Sequence, residues 1–462
     1  LESKALALEV FKNFGENMSH VLITFLGKTE KDGGLYSPEC YHFENDDEKY
    51  ETHFFGLAVL KHLANQKKKP DKLVILGTPS SSWDAFFQLG GEVNSEYEDE
   101  YLELAQAIED NFEYPDKEEK EEEKIAKYLT TSLKQALSKY LNANKLENVD
   151  CELRVIPYGE NQEAQVAILE KMADCVNEKD TVSLDITHGL RHLPMLVVLS
   201  AMYLEVVKKV TIAGIYYGAE QIKNRHDKVA PALDLTGLLQ IAKWVGKLNS
   251  FDNNGDYSVF TDVLKDDGFS QAELLKKAAY FERSINLEKA TTKLDKINTS
   301  LTEKKDLPGI GKLFSEQLKE RLSWHQFDGE DVRKKVYAQQ RKLALSYFEK
   351  RDYVRAANFA LEAMITHSLN PGNEPYNYAD RDQVKGKVPK SLYGENKSNY
   401  YLLKEIRNQL AHGSYDKKIE DDDWNQELKQ ETLRKAKNLL EDENKLRPKL
   451  KMLIKTLLTP WD

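Results

Sequence analysis

The chain has 462 residues, 40% of them hydrophobic and 31% charged, with a formal net charge of -11. That length calls for two or three domains, and that apolar fraction for real cores, which excludes a wholly disordered chain. The acidic balance excludes a protein that works by coating nucleic acid, but it leaves room for a local basic cleft that meets a polyanion briefly.

Residues 1–17 precede Met18-Ser19-His20, which stands directly before a strong strand, so the first 17 residues are expected to be a tag or extension. Val21-Leu-Ile-Thr-Phe-Leu26 is an apolar run closed by Gly27, as a buried strand meeting a turn should be. A helix is predicted over about 51–65. The strand Lys72–Leu76 follows, closed by Gly77-Thr78-Pro79-Ser80-Ser81-Ser82-Trp83-Asp84. A long polar helical region is predicted from about Glu98 to Leu141, and its charge run Asp116–Lys124 reads as a solvated surface. Strands are predicted again at 152–156, 181–186 and 210–217, with helices at about 162–176 and 190–207 between them. Repeated strand–helix units with continuous apolar strands imply an α/β domain built on a doubly wound parallel sheet.

Beyond Asp234 strand-like alternation stops, and helices are predicted near 238–248, 271–281, 332–348, 353–367, 398–412 and 427–440. The expected division is therefore 18–235 for the α/β domain and 236–462 for a helical connector and all-α domain. No apolar run is long enough to span a bilayer and no signal-peptide pattern is present, so a cytoplasmic protein without membrane contact is expected. Cys40, Cys151 and Cys175 are odd in number and lack CxxC spacing. They read as small packing residues rather than as disulfides or zinc ligands.

In a doubly wound sheet, ligands bind outside the C-terminal strand ends. Four such exits carry candidate binding residues: Gly27-Lys28, Thr78-Pro79-Ser80, Tyr158-Gly159, and Asp185 through Arg191. The richest is Asp185-Ile-Thr187-His188-Gly189-Leu-Arg191-His192. Gly189 before a helix lets backbone N–H groups approach a ligand, Thr187 adds a hydroxyl, and Arg191 adds a charge suited to phosphate. The plainer account is a glycine turn with a threonine cap. Neither a GxGxxG fingerprint nor a GxxxxGK[ST] loop is present, so a conventional NAD or ATP site is unsupported.

The second chemical signal is Glu405-Ile-Arg407-Asn408-Gln-Leu-Ala-His412-Gly413. On a helix Asn408 and His412 lie only about 40° apart, whereas Arg407 is about 140° from His412. Gly413 can end the helix, leaving His412 at its terminus. RNA cleavage without a metal needs a group to take the 2′-hydroxyl proton, a cation on the phosphate and a proton donor at the leaving oxygen. Histidine and arginine can fill these roles with asparagine orienting them. The plainer account is an exposed polar helix whose last turn ends in His412.

Taken together, Thr78-Pro79-Ser80-Ser81-Ser82-Trp83-Asp84, Asp185-Ile-Thr-His-Gly-Leu-Arg-His-Leu-Pro194, Ile215-Tyr-Tyr-Gly218 and Asp234-Leu-Thr236 resemble the CRISPR-associated Rossmann-fold (CARF) sensor. Arg407-Asn408-x3-His412 is similar to the active motif of HEPN ribonucleases. A CARF sensor followed by a HEPN domain resembles the ancillary ribonucleases of type III CRISPR antiviral defence. The resemblance implies a homodimer or higher homo-oligomer whose sensor domains share a pocket for cyclic oligoadenylate, an allosteric activator, with the tetra-adenylate ring favoured. It implies that Thr187, His188, Gly189 and Arg191 line that pocket with Gly27, Thr78 and Pro79. It also implies that Arg407, Asn408 and His412 cleave single-stranded RNA without a metal or other cofactor, leaving 2′,3′-cyclic phosphate and 5′-hydroxyl ends. Two other readings stay open: a non-enzymatic nucleotide-sensing regulator, and a sensor-controlled nuclease acting on DNA.

Overall fold

The structure is a computed structural model. It describes residues 18–29, 31, 35–44, 46–93, 95–113, 125–187, 193–223, 226–303, 307–413 and 426–461. The segment 1–17 and the charge run 116–124 lie outside the described residues. The chain divides into two compact units, residues 1–239 and 240–462, and the division falls inside the helix Thr236–Asn254.

The N-terminal unit is built on one eight-stranded sheet. Its strands are β1 (His20–Leu26), β2 (Glu39–Phe43), β3 (Lys49–Thr52), β4 (Lys72–Gly77), β5 (Asp150–Val155), β6 (Thr181–Asp185), β7 (Thr211–Gly218) and β8 (Val229–Asp234), in the order β3-β2-β8-β7-β6-β1-β4-β5. Five of them, β5-β4-β1-β6-β7, run parallel, with Val21 opposite Lys72 on one side and Val182 on the other. The sheet as a whole is mixed rather than parallel, because β7 pairs antiparallel with β8 and β2 antiparallel with β3. The reason is local. The connections 44–48 and 219–228 are too short for a crossover helix, and short connections return the chain antiparallel.

The central strands alternate between two cores. In β1, Leu22 and Leu26 face one core while Val21, Ile23 and Phe25 face the other; in β4, Leu73 and Ile75 divide likewise from Val74 and Leu76. Helices Phe55–Asn65 and Ser132–Ala143 cover the first face, and Gln162–Ala173 and Leu193–Val207 the second. Helices on both faces explain the unbroken apolar runs of these strands. Gly56 is required where the helix Phe55–Asn65 crosses β1, since a Cβ there would lie 2.6 Å from the Thr24 hydroxyl. The polar region 98–141 is not one helix: Glu98–Glu113 and Ser132–Ala143 are separate. Cys151 and Cys175 are buried and Cys40 is half-buried, all as free thiols.

Among the described residues the C-terminal unit holds helices and no strand. Besides the predicted helices it contains Leu287–Glu303, Ser315–Leu322, Tyr378–Lys385 and Glu443–Leu457. One continuous core runs from Trp244 to Leu458. The helix Gly394–His412 contributes Tyr400, Leu402, Leu403 and Ile406 to that core. No helix among the described residues is long and apolar enough to cross a membrane.

Candidate functional site

Parallel pairing of β5, β4, β1 and β6 sets four consecutive strand exits along one edge of the sheet. These exits carry Tyr158-Gly159, Thr78-Pro79-Ser80, Gly27-Lys28 and Asp185–Thr187. The β1 and β4 exits are stitched together. Ser81 Oγ donates to Leu26 O at 2.7 Å and accepts from Thr78 N at 2.9 Å. Ser82 N donates to Gly27 O at 2.9 Å, and Ser82 Oγ accepts from Thr29 N at 2.8 Å. The Trp83 indole N–H donates to Thr78 O at 2.9 Å. Thr78, Pro79 and Ser80 are consequently buried, while Gly27 is half-buried and Lys28 exposed. At the β5 exit Ile156 N donates to Gly77 O at 2.8 Å. Gly159 is buried with φ +74°, a conformation that favours glycine, and its carbonyl accepts from Gln165 Nε2 at 3.0 Å. Tyr158 is half-buried beside it.

Asp185 proves to be internal. It is completely buried, Oδ2 accepts from the Thr24 hydroxyl at 2.5 Å, and Oδ1 accepts from Thr187 N at 2.8 Å. A carboxylate enclosed and engaged in this way shapes the loop at the β6 exit. Thr187 Oγ1 in turn accepts from Gly218 N at 2.7 Å, tying the β6 exit to that of β7. His188, Gly189, Arg191 and His192 lie outside the described residues.

The sequence also concealed a brace under this edge. Asp84 is buried, pairs with Lys31 Nζ at 2.6 Å and accepts from Tyr36 OH at 2.8 Å. Burial and the Asp84 charge push the Tyr36 phenol well above its ordinary range. Asp84 closes the Ser-rich loop segment, and only three-dimensional packing reveals its partners.

In the helical unit Arg407, Asn408 and His412 share the helix Gly394–His412. The helix ends where the glycine is, with Gly413 at φ +76°. Arg407 and Asn408 are half-buried and His412 is exposed in the last turn. Arg407 Nε is buried and has no hydrogen-bond partner among the described residues. The same is true of Asn399 Nδ2 and of Gln409 Oε1, although Gln409 Nε2 donates to Glu405 at 2.8 Å. Burial raises the Tyr400 phenol, and the Arg407 charge acts against that rise. Five residues of helix separate Arg407 from His412 by about 7.5 Å along the axis and about 140° around it. One copy of the helix thus presents guanidinium and imidazole in different directions. No cluster of three or more metal-ligating side chains occurs among the described residues.

Residues 21–221 match the family model of the CARF domain of the CRISPR system endoribonuclease Csx1. CRISPR-associated protein MJ1674 of Methanocaldococcus jannaschii is 26% identical over 448 residues, which cover 92% of this chain. This chain spans 66% of that relative's own length. Among solved structures, Enterococcus italicus Csm6 bound to cyclic hexa-2′-fluoro-hexa-dAMP aligns over 96% of this chain and 99% of its own, at 11% identity and a TM-score of 0.35. The matched residues 21–221, which carry seven of the eight strands and the row of strand exits, are thus similar to a CARF domain of the Csx1 type.

Proposed function

We propose that the chain is a homodimeric endoribonuclease that cyclic oligoadenylate switches on and that cleaves single-stranded RNA without a metal. The observation that carries this reading is the half-buried Arg407, its Nε unpartnered, on a helix that ends in an exposed His412, in a chain whose other unit is similar to a CARF domain. The activator would sit along the strand exits of Gly27, Lys28, Thr78, Pro79, Ser80, Tyr158, Gly159, Asp185 and Thr187, with His188, Gly189 and Arg191 completing the pocket.

A second copy is supported by the helix Leu193–Val207. It buries Val197, Ala201 and Leu204 against the sheet. Met195, Leu199 and Val206, on the opposite side by helical geometry, are 74%, 59% and 78% exposed. A helix apolar on both faces is a helix that expects to be covered on both. Two copies also answer the divergence of Arg407 and His412, since a composite site can take its groups from two helices.

In this mechanism an imidazole removes the 2′-hydroxyl proton and the 2′-oxygen attacks phosphorus. The bond to the 5′-oxygen breaks, and that oxygen takes up a proton, leaving a 2′,3′-cyclic phosphate and a 5′-hydroxyl. Arg407 would fork onto the phosphate oxygens and Asn408 would orient the histidine. The activator would act by binding more tightly to the arrangement in which the two motif helices meet. The test is a fluorogenic RNA assay in EDTA with cyclic tri-, tetra- and hexa-adenylate. Stimulation is expected, strongest with the tetra-adenylate. Arg407→Ala and His412→Ala should each lose at least about 100-fold, the range for removing a general acid–base group. Equal rates with and without every ring would sink the gating, and an active His412→Ala would sink the chemistry.

A further inference from the structure

Away from the motif helix, the C-terminal unit carries a half-open cavity of about 320 Å3, within the range of small-molecule sites. Its lining includes Phe251, Tyr257, Glu282, Trp324, Lys342 and Lys350, which come from segments scattered over a hundred residues of sequence. Three features of these walls are unusual together.

First, Glu282 is 2% exposed; Oε1 accepts from the Tyr347 hydroxyl, while Oε2 makes no well-formed hydrogen bond among the described residues although the Tyr257 hydroxyl lies beside this carboxyl. Burial pushes this carboxyl up to about 7 despite the tyrosine hydroxyls beside it, so near neutrality it can carry a proton and donate it to a hydrogen bond. Second, Trp324 is 6% exposed and its indole N–H is also unpartnered. An indole nitrogen is a donor only. Third, Lys342 and Lys350 have no carboxylate within ion-pairing distance among the described residues. Their side-chain hydrogen bonds are long ones, 3.3 Å each, to the hydroxyls of Ser323 and Ser346. Burial of their stems lowers both lysines, although Lys342 is exposed and the Asp252 and Glu282 charges act against the shift at Lys350. Arg321, on the same cavity, differs in being clamped by Asp252 through bonds of 2.9 and 2.6 Å.

Every unmet group here is a donor or can become one, and Lys342 and Lys350, neither held in an ion pair, leave room for negative charge beside Asp252 and Glu320, which also line the cavity. An acceptor-rich anion answers all of them, and the carbon surface of Phe251 and Leu343 calls for an organic body attached to it. A phosphate ester fits better than a carboxylate, because a dianion balances two ammonium groups. The lysines are rooted about 12 Å apart along the chain direction of one helix, a span that two long flexible stems can close.

We infer that this cavity binds a small phosphomonoester, its phosphate held by Lys342 and Lys350 and its other acceptors by the Trp324 indole and the Glu282 carboxyl. The site stands independently of the nuclease reading, since none of its residues belongs to the CARF domain or to the motif helix.

The test is isothermal titration calorimetry of the full chain with ribose 5-phosphate, uridine 5′-monophosphate, uridine, succinate and inorganic phosphate. Probes without adenine keep any adenylate pocket in the CARF domain out of the measurement. Both phosphomonoesters are expected to bind, with uridine and succinate at least tenfold weaker. Lys342→Ala with Lys350→Ala should weaken binding about tenfold or more, and Trp324→Phe, which keeps the ring and loses the N–H, about fivefold. The two lysines are not core residues, so an unchanged melting temperature of the unliganded lysine variant separates lost binding from lost folding. No binding of either phosphomonoester at millimolar concentration overturns the site. Unchanged affinity in both variants overturns its location, and tighter binding of succinate overturns the ligand class.

Discussion

The two units of this chain treat their buried polar atoms in opposite ways. Along the CARF sheet edge Asp185, Thr187, Ser81 and Ser82 all find partners within the unit. Among the described residues, Asp84 Oδ2 is the one buried side-chain atom there without a hydrogen bond, and it is ion-paired with Lys31. The helical unit leaves Arg407 Nε, Asn399 Nδ2, Gln409 Oε1, Trp324 Nε1 and Glu282 Oε2 unmatched. Leaving a buried polar group unpaired costs about 1–3 kcal/mol, so a unit that holds several is poised for partners that supply them. The sheet edge is a preformed shape that a ligand selects; the helical unit is completed by what arrives.

The strongest way to break this comparison is to block the second copy. Leu199→Glu with Val206→Glu places two charges on each apolar stripe. On the proposed function it should convert a dimer to a monomer on size-exclusion chromatography with light scattering, and lower ring-stimulated RNA cleavage at least about 100-fold, because the proposed composite site would then lack half its groups. Both positions are more than half exposed, so the melting temperature of the monomer should barely move. A double variant that remains dimeric and active would show that the stripe faces something else.

A smaller effect is expected at the preformed edge. Asp185→Ala removes the acceptor of both Thr24 Oγ1 and Thr187 N in a fully buried setting. A loss of about 3 kcal/mol in chemical denaturation is expected, in the range for breaking a buried network. Asp185→Asn, which keeps one acceptor, should lose about half as much. If Asp185→Ala unfolds at the wild-type denaturant concentration but binds the activator poorly, the carboxylate serves the ligand rather than the loop.

How much of this was legible in sequence varied with the physical signal. β1, β4, β6 and β7 are covered on both faces, and their continuous apolar runs announce them. β2 and β3 bury only alternate residues, and β8 carries Pro231, which cannot donate to a ladder. Their weak pattern hid the antiparallel edge. The helix Leu287–Glu303 does carry Leu287, Ala290, Leu294, Ile297 and Leu301 at helical spacing, but threonine, lysine and aspartate between them mask the stripe. At the candidate site, Gly413 marked the end of the motif helix in advance. That Arg407 would be left with a buried unpartnered nitrogen depends on packing from other helices, as does the gathering of Glu282, Trp324 and Lys350 around one cavity, and no local pattern encodes either.

The smallest effect sharpens the helical side of the comparison. Glu282 is raised by burial to about 7, whereas an unfolded glutamate has an ordinary value near 4.5. Below about 4.5 both states hold the proton and the site carries no pH-dependent penalty. As pH climbs toward 7 the unfolded chain releases a proton that the folded chain retains, so stability falls; above 7 both states are ionised and the penalty stays constant. Each unit of the rise is worth about 1.4 kcal/mol, and rearrangement around the carboxylate should reduce the measured loss to the order of 1–2 kcal/mol. Glu282→Gln keeps an acceptor for the Tyr347 hydroxyl and does not titrate. Melts of the two proteins should therefore diverge between pH 5 and 7, with the glutamine variant gaining on wild type, and run parallel above that window. A constant offset from pH 4 to 8 would mean that Glu282 already has a counter-charge, and the helical unit would then resemble the CARF sheet edge in leaving nothing unmatched at this position.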